Sequence, residues 1–189
     1  MSTSCTHIVP VHTGDYPEDE AKAMEVLAWF QARSLVETDL SDCTLGKPGY
    51  RFTPEIGPLF IEAPDPRSQD LLTRGLELHH GERVVFHPAE GAQLSFICPS
   101  CGHDQGWDAL ESIGNWYSRV EDCPRCSSCD ARHHINEYGT DCGGTDTPWA
   151  FSNVGITFWN DQGGAFQPGF LEAMRGLFGT DIRVVEVHI

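Results

Sequence analysis

The sequence predicts an α+β fold, in which two amphipathic helices pack on a mixed sheet and a cysteine-rich segment interrupts the chain. Three observations lead to this prediction. Apolar residues recur at helical spacing in two segments, and a proline opens each of them. Short runs of β-branched and aromatic residues lie next to both segments. Between the two halves, residues 98–129 contain five of the eight cysteines.

The N-terminal half begins with a β-compatible segment, residues 6–11, and continues into the first helix. Pro17 and the three acidic residues that follow it are typical of a helix N-terminus, because proline has no amide hydrogen to leave unpaired and acids complement the helix dipole. Leu27 and Phe30 belong to an apolar stripe at helical spacing. We therefore predict a helix over about residues 17–36.

The next segment, residues 38–66, is rich in glycine and proline and is predicted to form mostly loops. Several short elements are predicted within it and after it: edge strands at 50–53 and 59–62, a helix at 68–74, extended chain at 76–86 that turns near His80, and a strand at 93–97.

The C-terminal half repeats the pattern of strand and helix. Residues 149–159 are predicted to form one strand, and Pro168 opens a helix over residues 168–178. Gly179 supplies the stop signal of this helix, and a strand rich in valine and isoleucine follows it.

The chain is predicted to divide into two parts. Residues 1–93 and 139–189 together form one α+β domain, and residues 94–138 are inserted into it. The insert is too short to build a core of its own, so bound metal is expected to supply much of its folding free energy.

The cysteine spacing of the insert is typical of a metal site. Cys98 and Cys101 are separated by two residues, and three further cysteines follow at 123, 126 and 129. Two cysteines at this spacing bind one tetrahedral ion from a tight turn, whose amide groups stabilise the thiolates. Gly102 follows the second cysteine, at a position that favours a positive φ. Two such pairs give a closed coordination sphere, which is typical of a structural site.

The choice of the second pair is open from the residues alone. Cys123 with Cys126 leaves 21 residues between the pairs, and Cys126 with Cys129 leaves 24. The second choice places Asp130 at the glycine position, and aspartate tolerates the left-handed conformation better than Ser127 would. The predicted ligands are therefore Cys98, Cys101, Cys126 and Cys129.

With these two pairs, the segment resembles the zinc-ribbon and rubredoxin-like knuckle families over about residues 94–138. The resemblance implies hairpins that present the two knuckles to one structural zinc ion; iron is the alternative, because four thiolates discriminate weakly between metals. The gap between the two cysteine pairs slightly exceeds the usual spacing of zinc ribbons, and the extra residues are expected to form a short helix around residues 107–113.

A thioredoxin-like redox pair is disfavoured, since that fold needs one pair that opens a long helix. His133 is a less favoured fourth ligand.

The charge of the chain limits its partners. The formal net charge is −16, which repels nucleic-acid phosphates and anionic lipid and favours a protein partner with a basic face. The sequence has no apolar run long enough for a membrane helix, and its first residues lack the pattern of a signal peptide. We therefore expect a cytoplasmic protein, in a reducing compartment where paired cysteines more often hold metal than form disulfides.

Common catalytic motifs are missing from the sequence, including phosphate-binding loops, dinucleotide-binding turns and zinc-protease signatures. The leading hypothesis is a non-enzymatic zinc-binding protein whose ribbon and acidic surface bind a protein, as an inhibitor or immunity protein would. One alternative is an enzyme with a structural zinc and an active site near Asp141 to Asp146, helped by His79, His80 or His188. A further alternative is nucleic-acid binding through Arg119, Arg125 and Arg132.

Overall fold

The computed structural model describes residues 4–62, 64–88, 94–140, 148–161 and 164–188. These ranges contain eight strands and three α-helices. The strands are β1 (Ser4–Pro10), β2 (Val36–Ser41), β3 (Gly49–Phe52), β4 (Gly75–His79), β5 (Val84–Phe86), β6 (Ala150–Ser152), β7 (Gly155–Trp159) and β8 (Ile182–His188). The helices are α1 (Asp19–Gln31), α2 (Leu110–Tyr117) and α3 (Pro168–Phe178). Short 3-10 helices span Pro54–Leu59, Pro66–Asp70, Gly106–Ala109 and Ile135–Glu137.

Six strands form the main sheet, in the order β2-β3-β4-β7-β1-β8, and β5 pairs with β6 in a second sheet. The α+β class is confirmed, but the predicted mixed sheet is wrong, because all five pairings of the main sheet are antiparallel. In the C-terminal half, β7 and β8, which α3 connects, run parallel to each other. However, β1 lies between β7 and β8 and pairs with both, so these two parallel strands are never neighbours.

One face of the main sheet shares a hydrophobic core with α1 and α3. Phe158 of β7 lies at its centre, in ring contact with Phe30 of α1 (centroids 5.8 Å apart) and Phe170 of α3 (6.0 Å). Ile8 and Leu76 add buried apolar surface from neighbouring strands. Aromatic contacts of this kind stabilise the folded protein beyond the effect of the apolar area that they bury. The apolar stripes predicted on both helices are the faces that form this core.

The opposite face of the main sheet packs against the second sheet. Cys5 and Val9 of β1 and Val185 and Val187 of β8 form a buried cluster there, together with Phe86 of β5. Alternation along β1 explains the division, since Ile8 belongs to the helix-covered core, whereas Cys5 and Val9, an odd number of residues away from it, lie on the opposite face.

Several predicted elements need correction. The strand predicted over 149–159 is two strands in different sheets, because Asn153 leaves the ladder and its side-chain carbonyl accepts a hydrogen bond from the Tyr16 amide (2.6 Å). The first helix ends at Gln31, five residues early, and Ser34 with φ of 55° turns the chain into β2, a strand that was not predicted.

Other short elements were predicted only approximately. The strand predicted at 50–53 is present as β3, but it lies between β2 and β4 and is not an edge strand. Of the edge strand predicted at 59–62, Leu59 ends a 3-10 helix and Phe60 forms only an isolated bridge. The helix predicted at 68–74 is the 3-10 helix Pro66–Asp70. Of the strand predicted at 93–97, residue 93 lies outside the described residues and Ile97 makes isolated bridges only. The short helix predicted around 107–113 is present as a 3-10 turn followed by α2.

Candidate metal centre

Two turns with the same backbone geometry carry the cysteine pairs. In the first, the Gly102 amide donates to the Cys98 carbonyl at 2.9 Å; in the second, the Asp130 amide donates to the Cys126 carbonyl at 3.0 Å. Gly102 has φ of 71° and Asp130 has φ of 60°. Both positions are therefore left-handed, as the sequence argument required of the residue after each second cysteine.

The two turns bring four sulfur atoms together. Sγ of Cys98 lies 3.8 Å from Sγ of Cys129, and Sγ of Cys101 lies 3.7 Å from Sγ of Cys126. All four sulfurs lie within 4.8 Å of one another. A tetrahedral ion with Zn–S bonds of about 2.3 Å requires sulfur atoms about 3.8 Å apart, which these two distances match.

Cys129 belongs to this cluster, and Cys123 does not. Of the two pairs left open by the spacing, the structure therefore brings together the one with the left-handed aspartate. Cys123 is exposed and its carbonyl accepts a hydrogen bond from Arg132. That these four cysteines are metal ligands stays a prediction, with its geometric requirement met.

The cysteine cluster favours negative charge on Cys126 over Cys129. The Ala131 amide lowers the pKa of Cys129, but hydrogen bonds with the neighbouring thiols outweigh it and raise this pKa to about 12. Burial raises the pKa of Cys126, but hydrogen bonds from the backbone amides of Cys129 and Ser128 outweigh it, and with help from neighbouring thiols they lower this pKa to about 6. The Ser128 nitrogen lies 3.4 Å from Sγ of Cys126. A thiolate is the form that binds metal, so the second turn prepares its buried cysteine for an ion.

A hydrophobic cluster supports one side of the cysteine group. Cys98 and Cys126 are buried, whereas Cys101 and Cys129 are exposed. Phe96 stacks on Tyr138, with ring centroids 4.2 Å apart, and the Tyr138 hydroxyl donates to the Pro124 carbonyl at 2.8 Å. Burial raises the pKa of Tyr138 to about 12, with a smaller contribution from the cysteines, so this hydroxyl remains a donor at neutral pH.

This cluster crosses the predicted boundary of the insert. Besides residues of the insert, it contains Trp149 and Phe151, from β6 and the residue before it, with Val85 of β5 packed against it. The division into an insert over 94–138 and a surrounding domain stays a prediction, but the insert shares its core with the second sheet.

Arg83 forms the main polar connection between the insert and the rest of the chain. Its side chain is buried, and Nε donates to Asp15 at 2.6 Å. Its Nη1 donates to the Trp116 carbonyl and to Asp122, both at 2.6 Å. These carboxylates raise the pKa of Arg83 against the lowering effect of its burial, so the guanidinium keeps its charge and ties three segments together.

A second set of hydrogen bonds joins the two parts nearby. The Gly14 amide donates to Nε2 of His134 at 2.8 Å, and the Asn136 side-chain amide donates to the carbonyls of His12 (3.0 Å) and Phe151 (2.9 Å). Burial lowers the pKa of His134, which therefore remains a neutral acceptor. Sequence reasoning missed this network, because none of its partners is close in the sequence.

The other histidines near the knuckles stay outside the sulfur cluster. Nε2 of His133 lies 2.7 Å from the Ser100 hydroxyl, and His103 is exposed. Among the described residues, the four cysteines are the single group of side chains placed to hold an ion.

The structure describes one of the two alternative sites, the three arginines, but not the other. Residues 141–146, proposed for an active site, lie outside the described residues, as does the side chain of His188. The three arginines proposed for nucleic-acid binding each contact a carboxylate: Arg119 with Asp15 (3.3 Å), Arg125 with Asp130 (3.5 Å) and Arg132 with Glu121.

Sequence analysis missed a histidine pair on the far side of the main sheet. His7 of β1 and His79 of β4 lie on either side of Thr157 of β7, whose Oγ is 2.7 Å from Nδ1 of His7 and 2.7 Å from Nε2 of His79. The period of two along β1 was the available signal, because it places His7 on the same face as Cys5 and Val9.

Comparison with known proteins gives no family for this chain. No protein-family model matches it, no curated protein is similar to it, and no solved structure matches its fold. Within the described ranges, no helix combines the length and the apolar character needed to cross a membrane.

Proposed function

We propose that this protein is a non-enzymatic zinc-binding protein whose cysteine-rich segment and acidic surface bind a basic protein partner in the cytoplasm. Zinc is the favoured ion because four thiolates in a closed tetrahedron are typical of structural zinc sites; iron fits the same donor set. The four sulfurs leave no position for a substrate, which favours a structural role. Cysteine pairs at metal spacing are typical of reducing compartments.

An exposed apolar stripe in the insert carries the proposal for protein binding. Trp107, Leu110 and Tyr117 are 54%, 50% and 56% exposed and follow one another at helical spacing from the 3-10 turn into α2. Val120 extends the stripe beyond the helix and is 72% exposed. Large aromatic side chains in solvent are typical anchors of protein interfaces.

The stripe borders the face that α2 uses for folding. Ile113 is buried in the cluster beside the cysteines, and it lies on the same helix face as Leu110, three residues before it, and Tyr117, four residues after it. Trp107 contacts the edge of this cluster, with its ring centroid 6.4 Å from that of Trp149. The exposed parts of the stripe side chains are available to a partner.

Charge next to the stripe favours a basic partner. Asp108 and Glu111 are exposed and flank the apolar positions, and residues 104–118 contain no lysine or arginine. A phosphate backbone would be repelled by these carboxylates, and the nearby arginines already contact carboxylates of their own. A protein surface with lysines or arginines around an apolar depression complements both features of the stripe.

The stripe can be tested with matched surface variants of the full chain. Immobilised wild type, a Trp107→Ser/Tyr117→Ser variant and a Leu72→Ser control would be used to capture proteins from a cell extract. Leu72 is 83% exposed and lies before β4, outside the stripe. We expect wild type and control to retain a basic protein that the stripe variant loses, with binding that weakens as salt is added.

Binding to the purified captured protein would then decide the proposal. We expect its dissociation constant to rise at least about tenfold in the stripe variant, which corresponds to about 1.4 kcal/mol. Equal affinity of the stripe variant, an acidic partner, or a dimer of this chain in sedimentation that the stripe variant abolishes would each contradict it.

A further inference from the structure

A cavity of about 200 Å³ lies between the main sheet and β5, and none of the four clustered cysteines lines it. It is partly open to solvent. Cys5, His7 and Trp159 contribute from the main sheet, and Val84 and Phe86 from β5. Nothing in the proposed function uses this cavity.

The surface of the cavity is predominantly apolar. Val84, Val85, Phe86, Trp159 and Val187 supply aliphatic and aromatic groups. A cavity of about 150 Å³ with an apolar lining holds a benzene ring in another protein, so about 200 Å³ holds one ring with one small substituent. The volume is below the usual range for larger cofactors or nucleotides.

The polar part of the cavity is organised by one hydroxyl group. The Thr157 hydroxyl has a single hydrogen and lies 2.7 Å from a nitrogen of each of two imidazoles. It donates to one of them and accepts an N–H from the other, so His7 and His79 hold the same tautomer, both protonated at Nε2 or both at Nδ1. Their two remaining nitrogens are then one donor and one acceptor, and they exchange these roles when the proton of the hydroxyl shifts.

Of these two remaining nitrogens, one has a weak hydrogen-bond partner in the protein, and the other can hydrogen bond to a ligand. Nε2 of His7 lies 3.8 Å from Sγ of Cys5. The bond to Thr157 engages only Nε2 of His79 and leaves Nδ1. Because Nδ1 is a donor in one tautomer and an acceptor in the other, a hydroxyl group complements it in both states.

Cys5 and His7, which line the cavity, are uncharged near neutral pH. Burial lowers the pKa of His7 to about 3, with a smaller effect of His79 and His87. Burial raises the pKa of Cys5 to about 12, and the carboxylates of Asp161 and Glu77 add to this rise. The described residues that line the cavity include no lysine or arginine to compensate an anion, and the two carboxylates disfavour one.

We infer that this cavity binds a small uncharged molecule with a single ring and a hydroxyl group, such as a phenol. The ring packs between the valines of β5 and β8, and its hydroxyl bonds to the histidine pair. A metal ion fits less well, because within the described part of the chain the cavity holds no three ligand atoms as close together as the cysteine sulfurs.

Phenol, toluene and benzoate are the probes that test this inference on the full-length protein. Binding would be followed by protein NMR, with intermolecular nuclear Overhauser effects to the methyl groups of Val84 and Val187. We expect phenol to bind with a dissociation constant of about 1 mM and to contact these methyl groups. Toluene and benzoate should bind at least about fivefold and tenfold more weakly, because one lacks the hydroxyl and the other carries a charge.

Two variants complete the test. Val84→Trp places an indole in the cavity and should weaken phenol binding about tenfold or more, whereas Leu72→Trp, at an exposed position outside the cavity, should leave it unchanged. Phenol contacts elsewhere or none at all, toluene or benzoate bound as well as phenol, or equal binding by a folded Val84→Trp variant would each overturn the inference. If Val84→Trp fails to fold, the methyl contacts in the wild type decide it.

Discussion

The guanidinium carbon of Arg83 lies 5.0 Å from the ring centroid of Trp116, over a side chain that belongs to the core beside the cysteines. The same guanidinium donates to the Trp116 carbonyl and to two carboxylates. Arg83 therefore connects the two sheets and the insert. Its stabilising effect comes from a buried guanidinium whose donors are satisfied by groups on several segments at once.

Arg83→Met should destabilise the protein by about 2–4 kcal/mol, because it removes the cation that Asp15 and Asp122 share and one of the two donors to the buried Trp116 carbonyl, while keeping most of the apolar volume. Urea unfolding followed by tryptophan fluorescence measures this change. Arg33→Met is the matched control, since Arg33 also lies over a tryptophan ring, Trp29 at 4.0 Å, but at the surface. A loss below about 1 kcal/mol is expected there, and equal losses in both variants would refute the role of Arg83.

Cys98→Ser or Cys126→Ser should remove the bound metal, because a tetrahedral site loses one of its four anionic ligands. Elemental analysis of protein purified without added metal measures this directly: we expect about one zinc per wild-type chain and a small fraction of that in the variants. Limited proteolysis should then cut within residues 94–138, since metal binding contributes to the folding of this segment.

Cys5→Ser and Cys123→Ser are the controls for the ligand assignment. Cys5 lies in a different buried cluster, and Cys123 lies three residues before a predicted ligand but outside the sulfur group. Both variants should keep the metal and the protease resistance of the wild type. Metal loss in Cys123→Ser, together with retention in Cys129→Ser, would show that the other cysteine pair binds the ion.

The knuckles were predictable because their information is local. The spacing of Cys98 and Cys101, and the tolerance of Asp130 for a left-handed φ, are properties of a few adjacent residues, and the same holds for α3 between Pro168 and Gly179. Such boundaries are set by helix caps and turns, whose preferred residue types can be identified directly in the sequence.

The sheet order was not predictable, because it depends on contacts between distant residues. β1 pairs with β7 and β8, more than 140 residues away, and nothing local in residues 4–10 indicates that they separate two parallel strands. The break at Asn153 is similar: its partner Tyr16 is 137 residues away. The histidine pair and Arg83 were missed for the same reason, since each becomes meaningful only when several segments meet.

The residue after each second cysteine offers a test of the backbone geometry. Gly102→Ala should cost about 1–2 kcal/mol, because Gly102 has φ of 71° and an added Cβ would meet nothing within 4 Å, so the cost is conformational strain alone. Asp130→Gly should be neutral or slightly stabilising, and Asp130→Ala should be destabilising. The zinc affinity of each variant would be measured in competition with a chelator. Tighter zinc binding by Asp130→Ala than by Asp130→Gly would contradict this interpretation.

The stability of the protein should fall with acid below pH 6.5, and His7 should account for part of this loss. Burial lowers the pKa of His7 to about 3 in the folded protein, whereas an unfolded histidine titrates near 6.5. Between these values the unfolded chain binds a proton that the folded chain does not, so the free energy of unfolding decreases as the pH decreases, by up to about 1.4 kcal/mol per pH unit for this one group. Above pH 6.5 neither state binds the proton, and the contribution of His7 is constant.

His7→Asn separates this group from the other titrating residues, because asparagine can still hydrogen bond to Thr157 but takes up no proton. Urea unfolding at several pH values between 8 and 5 should show parallel curves for wild type and variant above pH 6.5, and a shallower loss of stability in the variant below it. The difference in slope should approach that of one proton, since His12, His79 and His134, whose pKa values burial also lowers, remain in both proteins. Identical slopes below pH 6.5 would mean that the folded protein protonates His7 as readily as the unfolded chain does, and the uncharged character of the cavity would then be wrong.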